Sequence, residues 1–219
     1  MRFKTQLLAA AVLVFSMNAE AKDVSMLFIG NSHTYIPAMG TSEDPAVPKM
    51  IAALAKSIDP NLNVTFANST PGGYRLEQHY NNATSVELLK KRYDKVVIQA
   101  NSIEPLDLPP YFLTTDDVGV TSFSVFLPKL LDLAFQQNTD VTLYVTWGWN
   151  AKHTYFEASH PGLYFPSDSP KAGQRWCGVD KYDYQNMLNE SWALHSQGYN
   201  TKLALVGNAW LQLQDAGVV

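Results

Sequence analysis

The chain has one cysteine, Cys177, so no disulfide can form within it and its fold must rest on core packing. That cysteine follows no apolar leader, and it reads as a small packed hydrophobe rather than a lipid-attachment point. Basic clusters are also missing. The 16 Lys and Arg are outnumbered by 20 Asp and Glu, a formal charge of −4, which makes nucleic acid and anionic membranes poor partners. Neither a Gly-rich Lys-Ser/Thr phosphate loop nor a G-x-G-x-x-G fingerprint occurs, which removes two common nucleotide-binding signatures. No uninterrupted run of about 18 uncharged apolar residues is present, so no integral membrane association is expected.

What is present begins with a basic start, Met1-Arg2-Phe3-Lys4, then the apolar stretch Leu7 to Phe15, then the small-x-small sequence Ala19-Glu20-Ala21. This is the layout of a secretory signal peptide cleaved near Ala21, and it predicts a periplasmic or secreted protein. Removing residues 1–21 takes away Arg2, Lys4 and Glu20 and makes the remainder one unit more acidic. Residues 22–219 are of a length that suits one domain.

Short apolar runs alternate with segments of helical periodicity along this domain. Strands are predicted over Val24–Ile29, Asn63–Ala67, Asp94–Gln99, Val141–Trp147 and Leu203–Val206. Helices are predicted over Pro48–Ile58, Leu76–Arg92, Phe123–Gln136 and Tyr184–Gln197. The alternation implies an α/β fold, a three-layer α/β/α sandwich on a mainly parallel five-stranded sheet. The aromatic, Pro- and Gly-rich segment from Trp149 to Asp183 breaks the rhythm and reads as a long functional loop.

In a parallel α/β sheet, ligands bind beyond the carboxyl ends of the strands. The residues found there are Ser32, Gly72-Gly73, Gln99-Ala100-Asn101 and Trp147-Gly148-Trp149. They offer a hydroxyl nucleophile, a glycine pair that frees backbone N–H groups, and carboxamide donors. Acyl transfer needs these parts, an attacking oxygen and donors aimed at the oxyanion that forms.

Met26-Leu27-Phe28-Ile29-Gly30-Asn31-Ser32-His33-Thr34 resembles the first block of the SGNH (GDSL-like) hydrolase superfamily, with Gly-Asn-Ser in place of Gly-Asp-Ser. Asn63 to Ala67 leading to Gly72-Gly73 is similar to the second block, and Asp94 to Gln99 to the strand before the third. The resemblance implies Ser32 as catalytic nucleophile. It also implies an oxyanion hole from the Ser32 and Gly73 N–H groups and a carboxamide from Gln99 or Asn101, since Gln99-Ala100-Asn101-Ser102 stands where Gly-x-Asn-Asp is usual. The G-x-S-x-G elbow of lipase-like hydrolases is absent because Thr34 replaces its second glycine. The implied substrate is a small-molecule or glycan ester, with neither cofactor nor metal. The tryptophans and tyrosines between Trp147 and Trp192 are candidates for stacking on sugar rings.

The family's Asp-x-x-His after strand five has no counterpart here, because Asp215 is followed by Ala216, Gly217 and Val218. Glu157 and His160 copy an acid-x-x-His spacing, but before strand five, and form a second-best base pair. His153, Glu157 and His160 would share a helix face, yet without a fourth ligand they make no metal site. His79 and His195 read as surface or packing residues on helices. Two expectations follow: either the catalytic domain continues beyond Val219, or the chain is a non-catalytic relative that binds a glycan or acyl group.

Overall fold

The computed structural model describes residues 21–106, 122–137, 139–148, 164, 167, 172–175 and 177–218. Five strands form one fully parallel sheet: β1 Lys22–Ile29, β2 Leu62–Ser69, β3 Lys95–Ile98, β4 Asp140–Tyr144 and β5 Thr201–Ala204. Their order is β2-β1-β3-β4-β5, so the chain runs one way from β1 and the other way from β3. The expected α/β/α architecture is the one observed. The fourth strand ends at Tyr144, short of the predicted Trp147, although Val145 N–H still donates to Ala204 O at 3.0 Å, and Val206 begins a helix instead of closing β5.

Side chains alternate across the sheet. Leu27, Ile29, Val96, Ile98, Val141 and Leu143 point to one face and are at most 1% exposed. There they meet Leu76, Leu89, Leu127, Leu130, Tyr184, Leu188 and Trp192 from the helices α3 Leu76–Asn81, α4 Ala83–Leu89, α5 Ser122–Phe135 and α6 Lys181–His195. Cys177 is buried in this core, as expected of a small packed hydrophobe.

The opposite face carries Met26, Phe28, Val97, Thr142, Tyr144 and Ala204, beside α2 Ala46–Ile58. Between this face and α2 lies a groove of about 610 Å³. Met50 and Leu54, which line the groove, are 53% and 61% exposed, and Ile58 at the end of the same helix is 76% exposed.

Local signals explain the helix ends. The Asp180 carboxylate caps α6 by accepting from the Tyr182 and Asp183 N–H groups at 2.8 and 2.9 Å. The single helix predicted over Leu76–Arg92 is instead α3 and α4, broken at Asn82, whose side chain accepts from Ser85 N–H at 3.0 Å to start the second. A last helix, α7 Val206–Asp215, leans on α6, with Gly207 against Gln185.

Candidate active site

β1 ends at Ile29, and the chain turns through Gly30 and Asn31 into the four-residue helix α1, Ser32–Tyr35. Gly30 is dictated by space, since a Cβ there would lie 2.5 Å from Thr34 Oγ1 and 2.7 Å from Gln99 Oε1. Asn31 is fully buried and caps α1, its Oδ1 accepting from His33 N–H at 3.1 Å. Its Nδ2 donates to Tyr74 O at 2.8 Å, and its backbone N–H donates to Gln99 Oε1 at 2.9 Å. An ionised aspartate could cap the helix but could not donate to Tyr74, so the asparagine of Gly-Asn-Ser ties the β1 turn to the β2 turn. α1 closes on Ile36 at φ +53°, a conformation that costs a β-branched residue about 1–3 kcal/mol.

Ser32 is half-buried, and neither its hydroxyl nor its N–H has a hydrogen-bond partner among the described residues. Gly73 is exposed at φ +73°, and its N–H is likewise unpartnered among them. Beside it, Gly72 passes so close to Tyr35 that a Cβ would sit 2.9 Å from the phenol oxygen. The turns after β1 and β2 therefore touch through Tyr35–Gly72 and Asn31–Tyr74.

The two candidate carboxamides are placed differently. Gln99 is buried, and its oxygen accepts from Asn31 N–H and from Thr34 Oγ1 at 3.0 Å, which turns its NH₂ to the Ala100 carbonyl. Asn101 is half-buried with its Nδ2 unpartnered among the described residues. Its backbone N–H donates to Glu104 Oε2 at 3.1 Å, while Glu104 Oε1 accepts from Leu76 N–H at 2.8 Å. The buried Glu104 carboxylate thus joins the β3 loop to the start of α3. Three strand-end turns converge where the strand order reverses, between β1 and β3.

Histidine placement follows. His33 packs edge-on against Trp147 at 4.9 Å between ring centroids, and burial lowers its pKa. Trp147 in turn stacks on Trp210 of α7 at 5.4 Å. His79, expected at a surface or in packing, is fully buried and bonded through both ring nitrogens, to Ser85 Oγ and to Gly30 O, each at 2.9 Å. His195 packs edge-on against Phe123. His153, Glu157 and His160 lie outside the described residues. Of the aromatics considered for sugar stacking, Trp192 and Tyr184 are fully buried in the core, which removes them, while Trp147 is half-buried.

No family profile and no curated protein sequence matches this chain. Solved structures do. A protein of Slackia heliotrinireducens assigned to the SGNH hydrolases superposes with a TM-score of 0.56 at 20% identity, covering 87% of this chain and 83% of its own. The fold is that of the SGNH hydrolases. An acetylxylan esterase from Geobacillus stearothermophilus shares this SGNH fold at a TM-score of 0.58 and 12% identity, over 88% of this chain and 80% of that one. Variants of that esterase also match, and three of them are catalytic mutants. They replace a serine, an aspartate and the histidine three positions after that aspartate. The sequence resemblance and the SGNH fold therefore agree on a chain read from opposite ends, nine-residue block and whole sheet.

Proposed function

We propose that the protein is an exported SGNH-type serine esterase that removes an acyl group from a carbohydrate or other small ester, with Ser32 as nucleophile. The observation that carries this reading is the Ser32 hydroxyl, unpartnered among the described residues at the carboxyl end of β1 and at the point where the strand order reverses. Ser32 Oγ attacks the ester carbonyl and loses its proton to a base. The carbonyl oxygen becomes an oxyanion, and the C–O bond to the alcohol then breaks as that alcohol takes the proton. Water hydrolyses the acyl-serine and restores the hydroxyl.

The Ser32 and Gly73 N–H groups and the Asn101 NH₂ are the oxyanion donors in this reading, all three unpartnered among the described residues. Gln99 serves otherwise: its oxygen faces Asn31 and Thr34, so it orients the turn. Among the described histidines none hydrogen-bonds Ser32, and the base is a histidine outside them. His160 with Glu157 is the candidate within this sequence. Support for a sugar ester comes from the half-buried Trp147 beside His33 and from the acetylxylan esterase that shares the fold.

Incubation with a fluorophosphonate probe and with p-nitrophenyl acetate tests this reading. Labelling and turnover that disappear in Ser32→Ala are expected, and His160→Ala asks whether the base lies within the chain. Without its base, a serine hydrolase keeps only about 10³- to 10⁴-fold over water, so a slow but Ser32-dependent burst is the smallest result that sustains the proposal. No Ser32-dependent labelling, together with binding of acylated sugars, replaces it with the binding-protein reading.

A further inference from the structure

The peptide unit between Gly30 and Asn31 is gripped from both sides. Its carbonyl oxygen accepts from His79 Nε2 at 2.9 Å, and its N–H donates to Gln99 Oε1 at 2.9 Å. The C=O and N–H of a trans peptide point in opposite directions, so two such bonds fix the rotation of the plane between its Cα atoms. The next peptide, which carries the Ser32 N–H, departs from this fixed plane at Asn31 and is held in turn by its own carbonyl, Asn31 O, which accepts from Thr34 N–H at 2.9 Å. Gly30 N–H is held as well, by Ser69 O at 3.0 Å.

For a neutral ring, the tautomer follows from the partners. A carbonyl oxygen only accepts, so Nε2 must carry the proton toward Gly30, and in the neutral ring Nδ1 must then accept from Ser85 Oγ. Ser85 Oγ, its own proton spent on His79, accepts from Ser69 Oγ at 2.8 Å. All three side chains are buried, so the chain Ser69–Ser85–His79–Gly30 is closed at each link. The His79 ring also lies edge-on to Tyr74 at 5.2 Å, and Tyr74 O receives the Asn31 side chain.

We propose that His79 is a positioning residue, locked as the neutral Nε2–H tautomer, which together with Gln99 clamps the Gly30–Asn31 peptide and thereby aims the Ser32 N–H and hydroxyl. The proposal rests on the esterase reading only for what the aim is used for; the clamp itself stands on the geometry. It assigns His79 no proton transfer with substrate.

The test pairs a spectroscopic readout with two variants. A long-range ¹H–¹⁵N spectrum of the intact chain should show His79 protonated at Nε2 and bare at Nδ1; a proton on Nδ1 overturns the proposal. His79→Gln can present its NH₂ where Nε2 stood, whereas His79→Leu removes the donor. In His79→Leu, exchange of the Asn31 amide should accelerate about ten-fold relative to the core amides of Leu27 and Leu143, the effect of losing one buried hydrogen bond. His79→Gln should restore it. Fluorophosphonate labelling of Ser32 should fall and recover in parallel. A folded His79→Leu with unchanged Asn31 exchange sinks the clamp, and if it does not fold, the tautomer decides. If the unmodified chain is never labelled, the esterase reading fails while the exchange measurement still judges the clamp.

Discussion

The two faces of the sheet are built from neighbouring residues of the same strands, yet they are finished differently. On the face toward α3–α6, side chains such as Leu27, Ile98 and Leu143 lose all contact with solvent. On the other, Met26, Phe28 and Tyr144 are also buried, but Val97, Thr142 and Ala204 stay half-buried beside a groove of about 610 Å³, and α2 shows Met50, Leu54 and Ile58 to solvent. The buried polar chain Ser69–Ser85–His79 that holds Gly30 belongs to the closed side, because His79 rides on α3. One of the two bonds that grip the turn before Ser32 is therefore supplied from the closed face, while the open face leaves apolar surface unmatched.

The largest test of that contrast is a pair of truncations. Leu143→Ala should cost about 3–4 kcal/mol, as a fully buried leucine does, and Val97→Ala only about 1 kcal/mol. Urea midpoints at constant slope read both, and equal costs would break the comparison. The next effect is pH-dependent. Burial pushes His79 down to about 4 from an ordinary value of 6.5. Between these values the unfolded chain takes up a proton that the folded one refuses. Stability from this group is thus complete above pH 6.5 and is lost as pH falls toward 4, by about 3 kcal/mol. Urea titrations across that range should show the slope, and His79→Gln should flatten it.

Asn31→Asp should cost about 2 kcal/mol at pH 7, because a buried carboxylate would face the Tyr74 carbonyl without a proton to give. Its unfolding midpoint measured against that of the unchanged chain provides the check. Smallest of all, Leu54→Lys on the open side should stay within about 0.5 kcal/mol of the parent while lowering the binding of an apolar dye such as ANS. A large loss would mean that the face is already closed.

Much of this arrangement was legible in the sequence because it depends on local pattern. Alternating apolar runs located the strands, and a serine after the first of them drew attention to Ser32. The same patterns overran where tertiary contacts intervened. Asn82 splits the predicted helix over Leu76–Arg92 by capping its second half. Val206 begins α7, although Val206, Ala209, Trp210 and Leu213 already carried helical spacing. Gln99 could not be distinguished from Asn101, because the direction of its amide is set by Asn31 and Thr34, far away in the chain. His79 carries no signal of its burial for a similar reason: both its partners come from other elements, and nothing in its neighbourhood along the sequence reports a buried ring.

The two bonds that grip the Gly30–Asn31 peptide span 49 and 68 residues of chain. Such contacts gain nothing until the intervening segments have folded and their closure entropy has been met. The turn at Ser32 should therefore be among the last parts of the molecule to become ordered, after β3 has joined β1 and α3 has docked. Reactivity of that serine toward a small probe would then serve as a clock for complete assembly of the sheet, and partly folded chains would be chemically silent.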